Sequence, residues 1–114
     1  MNKELCINYK KKKIKIIVKN CNFVNKGVGL MFSRREKAKI LLFDKLKKIE
    51  LPIHSYFIFY SFLAIWLNEQ NNVVDLKIVK PFSSYVAPKK RAYKLLEVPL
   101  NQKNQKIIAF FTTK

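Results

Sequence analysis

The sequence predicts a mainly β domain, α+β with one short helix, folded as a compact, antiparallel, partly closed β-barrel. Three observations predict it. The stretch Leu51 to Lys80 sets an aromatic-rich apolar run (Tyr56 to Leu67) and a second apolar run (Val73 to Val79) on either side of a polar knot, Asn68 to Asn72. Val, Ile, Phe, Tyr and Trp suit a pleated, packed surface, and the Asn-rich knot supplies turn chemistry, so the stretch reads as a β-hairpin. Earlier, Lys13-Ile14-Lys15-Ile16 alternates polar and apolar, the period of a half-buried strand. Later, Pro81 and Pro99 close apolar runs, because a residue without a backbone donor ends a ladder.

A chain of 114 residues, 49% of them hydrophobic, is expected to form one domain over 1–114. It has no internal repeat and no low-complexity linker. Folding at this length buries roughly two thirds of the unfolded surface, enough for a core without metal or disulfide staples. Charge is the unusual quantity. Lys plus Arg is 24 against 7 Asp plus Glu, a net +17, and only Arg34, Arg35 and Arg91 are arginine. An AT-rich genome explains lysine over arginine. It does not explain the shortage of acids, because Glu codons are A-rich too. Self-repulsion at +17 disfavours the compact state unless salt or a polyanion screens it.

The opening MNKELCINYKKKK has no long apolar segment, so a reducing cytoplasm with Cys6 and Cys21 as free thiols is expected. Leu51 to Leu67 only touches the lower length limit for a membrane helix and contains Pro52, His54 and Ser55, so no membrane partner is expected. A basic strand is expected over 10–19. The glycines Gly27 and Gly29 read as a turn; a nucleotide loop lacks its third glycine. Ser33-Arg34-Arg35-Glu36 fits a capping box. Beyond it the residues leave two readings open: a helix to about Lys47, or a buried strand at Ile40 to Phe43. Ala92 to Val98 reads as a strand, Asn101 to Lys106 as a polar turn, and 106–113 as a last strand around Ile107 to Thr112.

Several of these segments, in order, resemble the domain-of-unknown-function 192 family. Gly29-Leu30-Met31-Phe32 and Ile40-Leu41-Leu42-Phe43 look like its GLMF and LLF motifs. Ile53-His54-Ser55-Tyr56-Phe57 through Ile65-Trp66-Leu67-Asn68 resembles a segment of its archaeal members. Val79-Lys80-Pro81-Phe82 and Leu95-Leu96-Glu97-Val98-Pro99 look like its VKPW and VLELP motifs. The resemblance covers about 25–101. It implies an uncharacterised, mostly antiparallel β fold with a short helix near Ser33 to Lys39, and it favours strand at Ile40 to Phe43. It implies no activity. The family usually carries an acid where this chain has Leu63 and Asn68, and a glycine where it has Asn101, so any role of those carboxylates is lost here.

Catalytic chemistry finds little support. Acid–base work wants two titratable groups with diverging environments, and none of the seven acids forms a paired motif. Glu97 reads as a half-buried partner of a lysine. His54 is the sole histidine, more simply a satisfied core or rim residue than a proton shuttle. With Ser55 it cannot form a dyad within one strand, where neighbours point to opposite faces. Cys6, Cys21 and His54 are too few for structural zinc. No enzyme activity, metal or cofactor is expected.

Phosphate binding has the most support. Three clusters carry it: Lys10, Lys11, Lys12, Lys13 with Lys15; Arg34, Arg35 with Lys37 and Lys39; and Lys89, Lys90, Arg91. Phosphate contacts give salt-dependent affinity without sequence reading. Tyr85 and Phe82 precede the third cluster and either stack on unpaired bases or cap the core. The expected partner is a polyanion, RNA or a ribonucleoprotein, with ribosome association as one form. The alternative is a small-molecule or protein-binding β domain with scattered lysines and a pocket near His54, Tyr56 and Trp66.

Overall fold

The structure is a computed structural model and describes residues 2–21, 38–44, 46, 53 and 58–113. The turns at Gly27 and Gly29, the capping box at Ser33, and His54 therefore lie outside the described residues. So does most of the helix expected near Ser33 to Lys39, of which Ala38 and Lys39 are in irregular backbone.

Six strands form one sheet: β1 (Asn2–Tyr9), β2 (Lys12–Cys21), β3 (Leu41–Phe43), β4 (Phe62–Leu67), β5 (Val73–Val79) and β6 (Lys94–Pro99), in the spatial order β1-β2-β3-β6-β4-β5. All neighbours are antiparallel except β2 and β3, which run parallel. A parallel pair needs a long crossover, and the segment between Cys21 and Leu41 supplies it. The sheet curls until its outer strands meet at one end, where Asn8 bridges Asn72 and the Asn8 N–H donates to the Asn71 carbonyl at 2.9 Å. The result is a half-barrel with a radius of gyration of 12.8 Å.

Strand alternation sorts the apolar side chains into two cores. Inside the curl lie Leu5, Ile7, Ile16, Val18, Leu42, Leu63, Ile65, Leu67, Leu96 and Val98. On the outer side Leu41, Phe43, Phe62, Ala64, Trp66 and Leu95 pack with Leu46, Ile53, Ile58 and Tyr60. Strands β3, β4 and β6 are buried on both faces, which is why β3 and β4 read as unbroken apolar runs and β6 as one interrupted only by Glu97 after its first residue. The strand that the resemblance favours at Ile40 to Phe43 is present as Leu41–Phe43, and the central hairpin is present as β4 and β5, its first strand starting at Phe62.

Three differences have physical causes. Strand β1 was not among the expected elements, although Leu5, Ile7 and Tyr9 have period two and face inward opposite Ile16, Ile14 and Lys12. The basic strand begins at Lys12 rather than 10, because Lys10 and Lys11 (φ 49° and 66°) form the two-residue turn between β1 and β2. Positive φ at both positions is the primed turn whose twist matches a hairpin.

The third correction concerns 106–113, which is a helix, α1 (Gln105–Thr112), not a strand. An alternating strand would place Ile107, Ala109 and Phe111 on one face and Ile108 and Phe110 on the other. Instead Phe111 is fully buried, Ile107, Ile108 and Phe110 are half-buried, and Ala109 is exposed, the spacing of a 3.6-residue period. The supposed polar turn is a helix start. Asn101 Oδ1 accepts the Asn104 N–H at 3.0 Å, and Asn104 Nδ2 donates to the Pro99 carbonyl at 3.0 Å. Helix α1 covers the open interior, with the Phe111 ring 5.5 Å from Tyr9.

Phe111 thus closes the inner core. Phe111→Ala is expected to lower unfolding free energy by about 3–5 kcal/mol, measured by urea titration; a loss under about 1 kcal/mol would show that α1 does not seal the barrel.

Candidate functional site

The hairpin tip is the most basic point of the described chain. Lys10, Lys11, Lys12 and Lys13 are all exposed, and Lys15 follows on the outer face of β2. Residues two apart on a strand sit about 6.6 Å apart on one face, so Lys13, Lys15 and Lys19 form a row there, interrupted by the exposed Ile17. The ammonium of Lys10 lies 5.2 Å from the Tyr9 ring centroid, a cation–π contact. Non-glycine residues at positive φ cost about 1–3 kcal/mol each. Glycine or asparagine would relieve Lys10 and Lys11.

The second described cluster lies toward the same end of the barrel. Lys89, Lys90 and Arg91 are exposed in the loop entering β6, and the Lys89 N–H donates to Asp75 Oδ2 at 2.8 Å. Asp75 stands near the start of β5, three residues from the Asn72 that bridges to β1. Its carboxylate holds the backbone of the cluster and leaves the direction of the side chains open. Two other lysines are structural. Lys94 donates to Asn71 Oδ1 at 2.6 Å, and Lys77 donates to the Ala87 carbonyl. The third cluster, Arg34, Arg35 and Lys37, lies outside the described residues.

Two grooves flank the tip. One, of about 430 Å³, is lined by Tyr9, Lys10, Lys12, Lys106, Phe110 and their neighbours on α1. The other, of about 360 Å³, runs from Asn8 along the turn to Asn72 and Val73. Lys106 and Phe110 are not legible here while 106–113 reads as a strand, and Tyr9 stands on the unexpected strand β1. Read as a helix, Lys106, Ala109, Phe110 and Thr113 fall at i, i+3, i+4 and i+7, one face. Lysine is not confined to this end: Lys19, Lys39 and Lys103 line a smaller groove of about 220 Å³ at the other.

Tyr85 is 71% exposed and Phe82 is 52% exposed. Phe82 packs edge-on to the equally exposed Phe59 at 5.3 Å and has φ 60°, so neither Phe82 nor Tyr85 caps the core. The pocket expected near His54, Tyr56 and Trp66 cannot include Trp66, which has no exposed surface; His54 and Tyr56 lie outside the described residues. Glu97 is buried rather than half-buried, opposite Leu41 on one side and Ala64 on the other. Among the described residues no three His, Cys, Asp or Glu side chains gather into a metal-sized group, and no helix is long and apolar enough to cross a membrane.

Comparison with known proteins places the chain. A UPF0127 protein of Pyrococcus furiosus is 34% identical over 91 residues, 79% of this chain and 78% of its own length. A second from Pyrococcus horikoshii is 32% identical over 78 residues (68% and 67%), and a third from Pyrococcus abyssi is 30% identical over 79 (69% and 67%). The chain belongs to the UPF0127 family. No protein-family model and no solved structure matches it. UPF0127 proteins are named without an activity, so the family fixes kinship and leaves function to the geometry.

The positions that depart from the motif pattern are accounted for locally in this UPF0127 chain. Asn68 Oδ1 accepts the N–H groups of Gln70 (3.0 Å) and Asn72 (2.9 Å), closing the β4–β5 turn as a carboxylate would. Asn101 has φ −134°, where no glycine is needed. Leu63 is fully buried inside the barrel.

Cys6 and Cys21 are both free. Burial pushes the Cys21 thiol above its ordinary value of 9.0; Lys19 pulls it down and Glu97 adds to the rise. In a Cys6→Ser background, alkylation of Cys21 by iodoacetamide is expected to accelerate only above pH 9, and rapid labelling at pH 7 would contradict the raised thiol and its half-buried placement. A second expectation concerns the strained turn. Lys10→Asn with Lys11→Gly raises stability by about 1–2 kcal/mol by relieving two left-handed lysines, read from denaturant midpoints; unchanged or lower stability would mean the turn is not strained.

Proposed function

We propose that this protein is a non-catalytic basic module that docks on RNA or a ribonucleoprotein particle, the ribosome being one such particle, in a reducing cytoplasm. The carrying observation is the exposure of two lysine-rich clusters, Lys10 to Lys13 and Lys89 to Arg91, toward one end of the half-barrel. Lys13 and Lys89 are 76 residues apart in sequence (89 − 13), and the Lys89 backbone sits beside Asp75, three residues along the chain from the Asn72 that meets β1. Each ammonium that meets a phosphate releases counterions, so such a surface binds by charge and shape rather than by base sequence. Lysine favours that mode, since arginine is the better fork for phosphate and guanine. Genome composition alone gives no reason to place two lysines consecutively in left-handed backbone at the exposed tip.

We also read the GLMF, LLF and ELP segments as marking UPF0127 and the domain-of-unknown-function 192 family as one group; a profile alignment that put these segments out of register would separate them.

The test is RNA affinity measured across salt. A steep fall of log K with log salt is expected. Replacing Lys10 to Lys13 by Gln should flatten the slope by about 3, close to 0.7 per phosphate contact on a single strand. Absent binding, or affinity indifferent to salt, defeats the reading.

A further inference from the structure

The larger of the two grooves at the tip has a chemistry that general phosphate docking does not need. Its walls are the turn of the β1–β2 hairpin and the outer face of α1, and at about 430 Å³ it falls in the range of small-ligand sites. Three ammonium groups line it, Lys10, Lys12 and Lys106, and among the described residues no carboxylate does. The C-terminus of α1 opens nearby, where the Thr113 N–H donates to the Ala109 carbonyl at 2.9 Å. A helix end of that kind contributes about half a negative charge, which three cations outweigh. The groove therefore selects an anion.

The groove is also aromatic. Tyr9 and Phe110 are half-buried, with ring centroids 6.3 Å apart, and the fully buried Phe111 backs both. Those contacts fix the two rings as a wall. An inorganic anion would gain nothing from them, whereas a flat π-system joined to a phosphate uses both halves of the site. A base inside a duplex is stacked on its neighbours and cannot reach such a wall; an unpaired base can.

We propose that this groove is a subsite for one unpaired nucleotide of an RNA strand, its base against Tyr9 and Phe110 and its flanking phosphates on Lys10, Lys12 and Lys106. The inference rests on the RNA-docking reading and narrows it from polyanion to single strand. It also gives the strained turn a use: left-handed Lys10 and Lys11 hold the tip as a tight two-residue turn beside the groove while keeping a positive charge at each position.

Fluorescence anisotropy with a labelled 12-nucleotide oligouridine and a 12-base-pair RNA duplex separates the outcomes. Phe110→Leu keeps the apolar contact with the barrel but removes the ring. It is expected to weaken oligouridine binding roughly five- to a hundredfold, the range for one stacked base, and to leave duplex binding unchanged. Lys106→Glu, an exposed change that cannot disturb the core, should weaken the single strand more than the duplex. Gln at Lys89, Lys90 and Arg91 together should weaken both ligands alike. If the wild type binds both RNAs and neither groove variant discriminates between them, the subsite is wrong and the docking reading survives. If neither RNA binds at low salt, both fall. Displacement of oligouridine by polyglutamate at equal charge concentration would assign the groove to an acidic peptide and overturn the nucleotide proposal.

Discussion

Without β6, the pieces β1-β2-β3 and β4-β5 would meet only where Asn8 bridges Asn72, because β6 alone pairs with both β3 and β4. It is buried on both faces as a result. Leu95 enters the outer core while Leu96 and Val98 enter the inner one. Each such side chain contributes about 1.5–3 kcal/mol on burial, so this short strand carries a large share of a domain's marginal stability. Glu97 is the exception on the strand, a carboxylate buried at the middle of the sheet. Its row runs from Asn2 on β1 through Lys19, Leu41, Glu97 and Ala64 to Lys77 on β5, so a lysine stands two strands away on either side of the buried acid. Everything that forms the basic end, from the meeting of Asn8 with Asn72 to the entry of Lys89 beside Asp75, follows from the two halves being held in one curved sheet.

That curvature leaves the inner core open on one side, which explains where sequence reading succeeded and failed. Elements whose period or punctuation is local were legible. The knot Asn68 to Asn72 is a turn because Asn68 closes it and Asn71 tolerates φ 65°. The strand at Leu41 to Phe43 needed the family resemblance, because a three-residue buried run has no measurable period. Helix α1 was misread because Ile107, Ile108, Phe110 and Phe111 are strand-prone residues with a helical spacing. What selects helix is tertiary: an interior needing a lid, and an Asn101 cap on the 3₁₀ turn that leads into it. Strand β1 was legible in principle, since Leu5, Ile7 and Tyr9 alternate, but the lysines that follow mask the alternation.

The candidate site was half legible for the same reason. Lys10 to Lys13 and Lys89 to Arg91 announce themselves by composition. That both lie toward one end depends on strand order, which no local pattern encodes. The groove is less legible still, because Tyr9 and Lys106 belong to opposite ends of the chain and meet only when α1 lies across the barrel mouth. The left-handed turn is the least legible feature, since lysine carries no turn preference. Charge and strain act in the same direction there. A net +17 already works against compaction, and positive φ at two lysines adds to the opposition. Stability alone favours removing both features.

The motif departures support that weighting of charge over reactive groups. Asn68 does by hydrogen bonding what an acid at the end of β4 would do for the turn. Leu63 in place of an acid fills the inner core without any need for a buried partner. Neither position therefore carries a charge, and each is satisfied by the fold as it stands. The acids that remain among the described residues include Asp75, which ties down the Lys89 backbone, and Glu97, which is locked inside the sheet. Neither faces the hairpin tip. Among the described residues, the lining of either groove at the tip holds no acid to compete with an incoming phosphate.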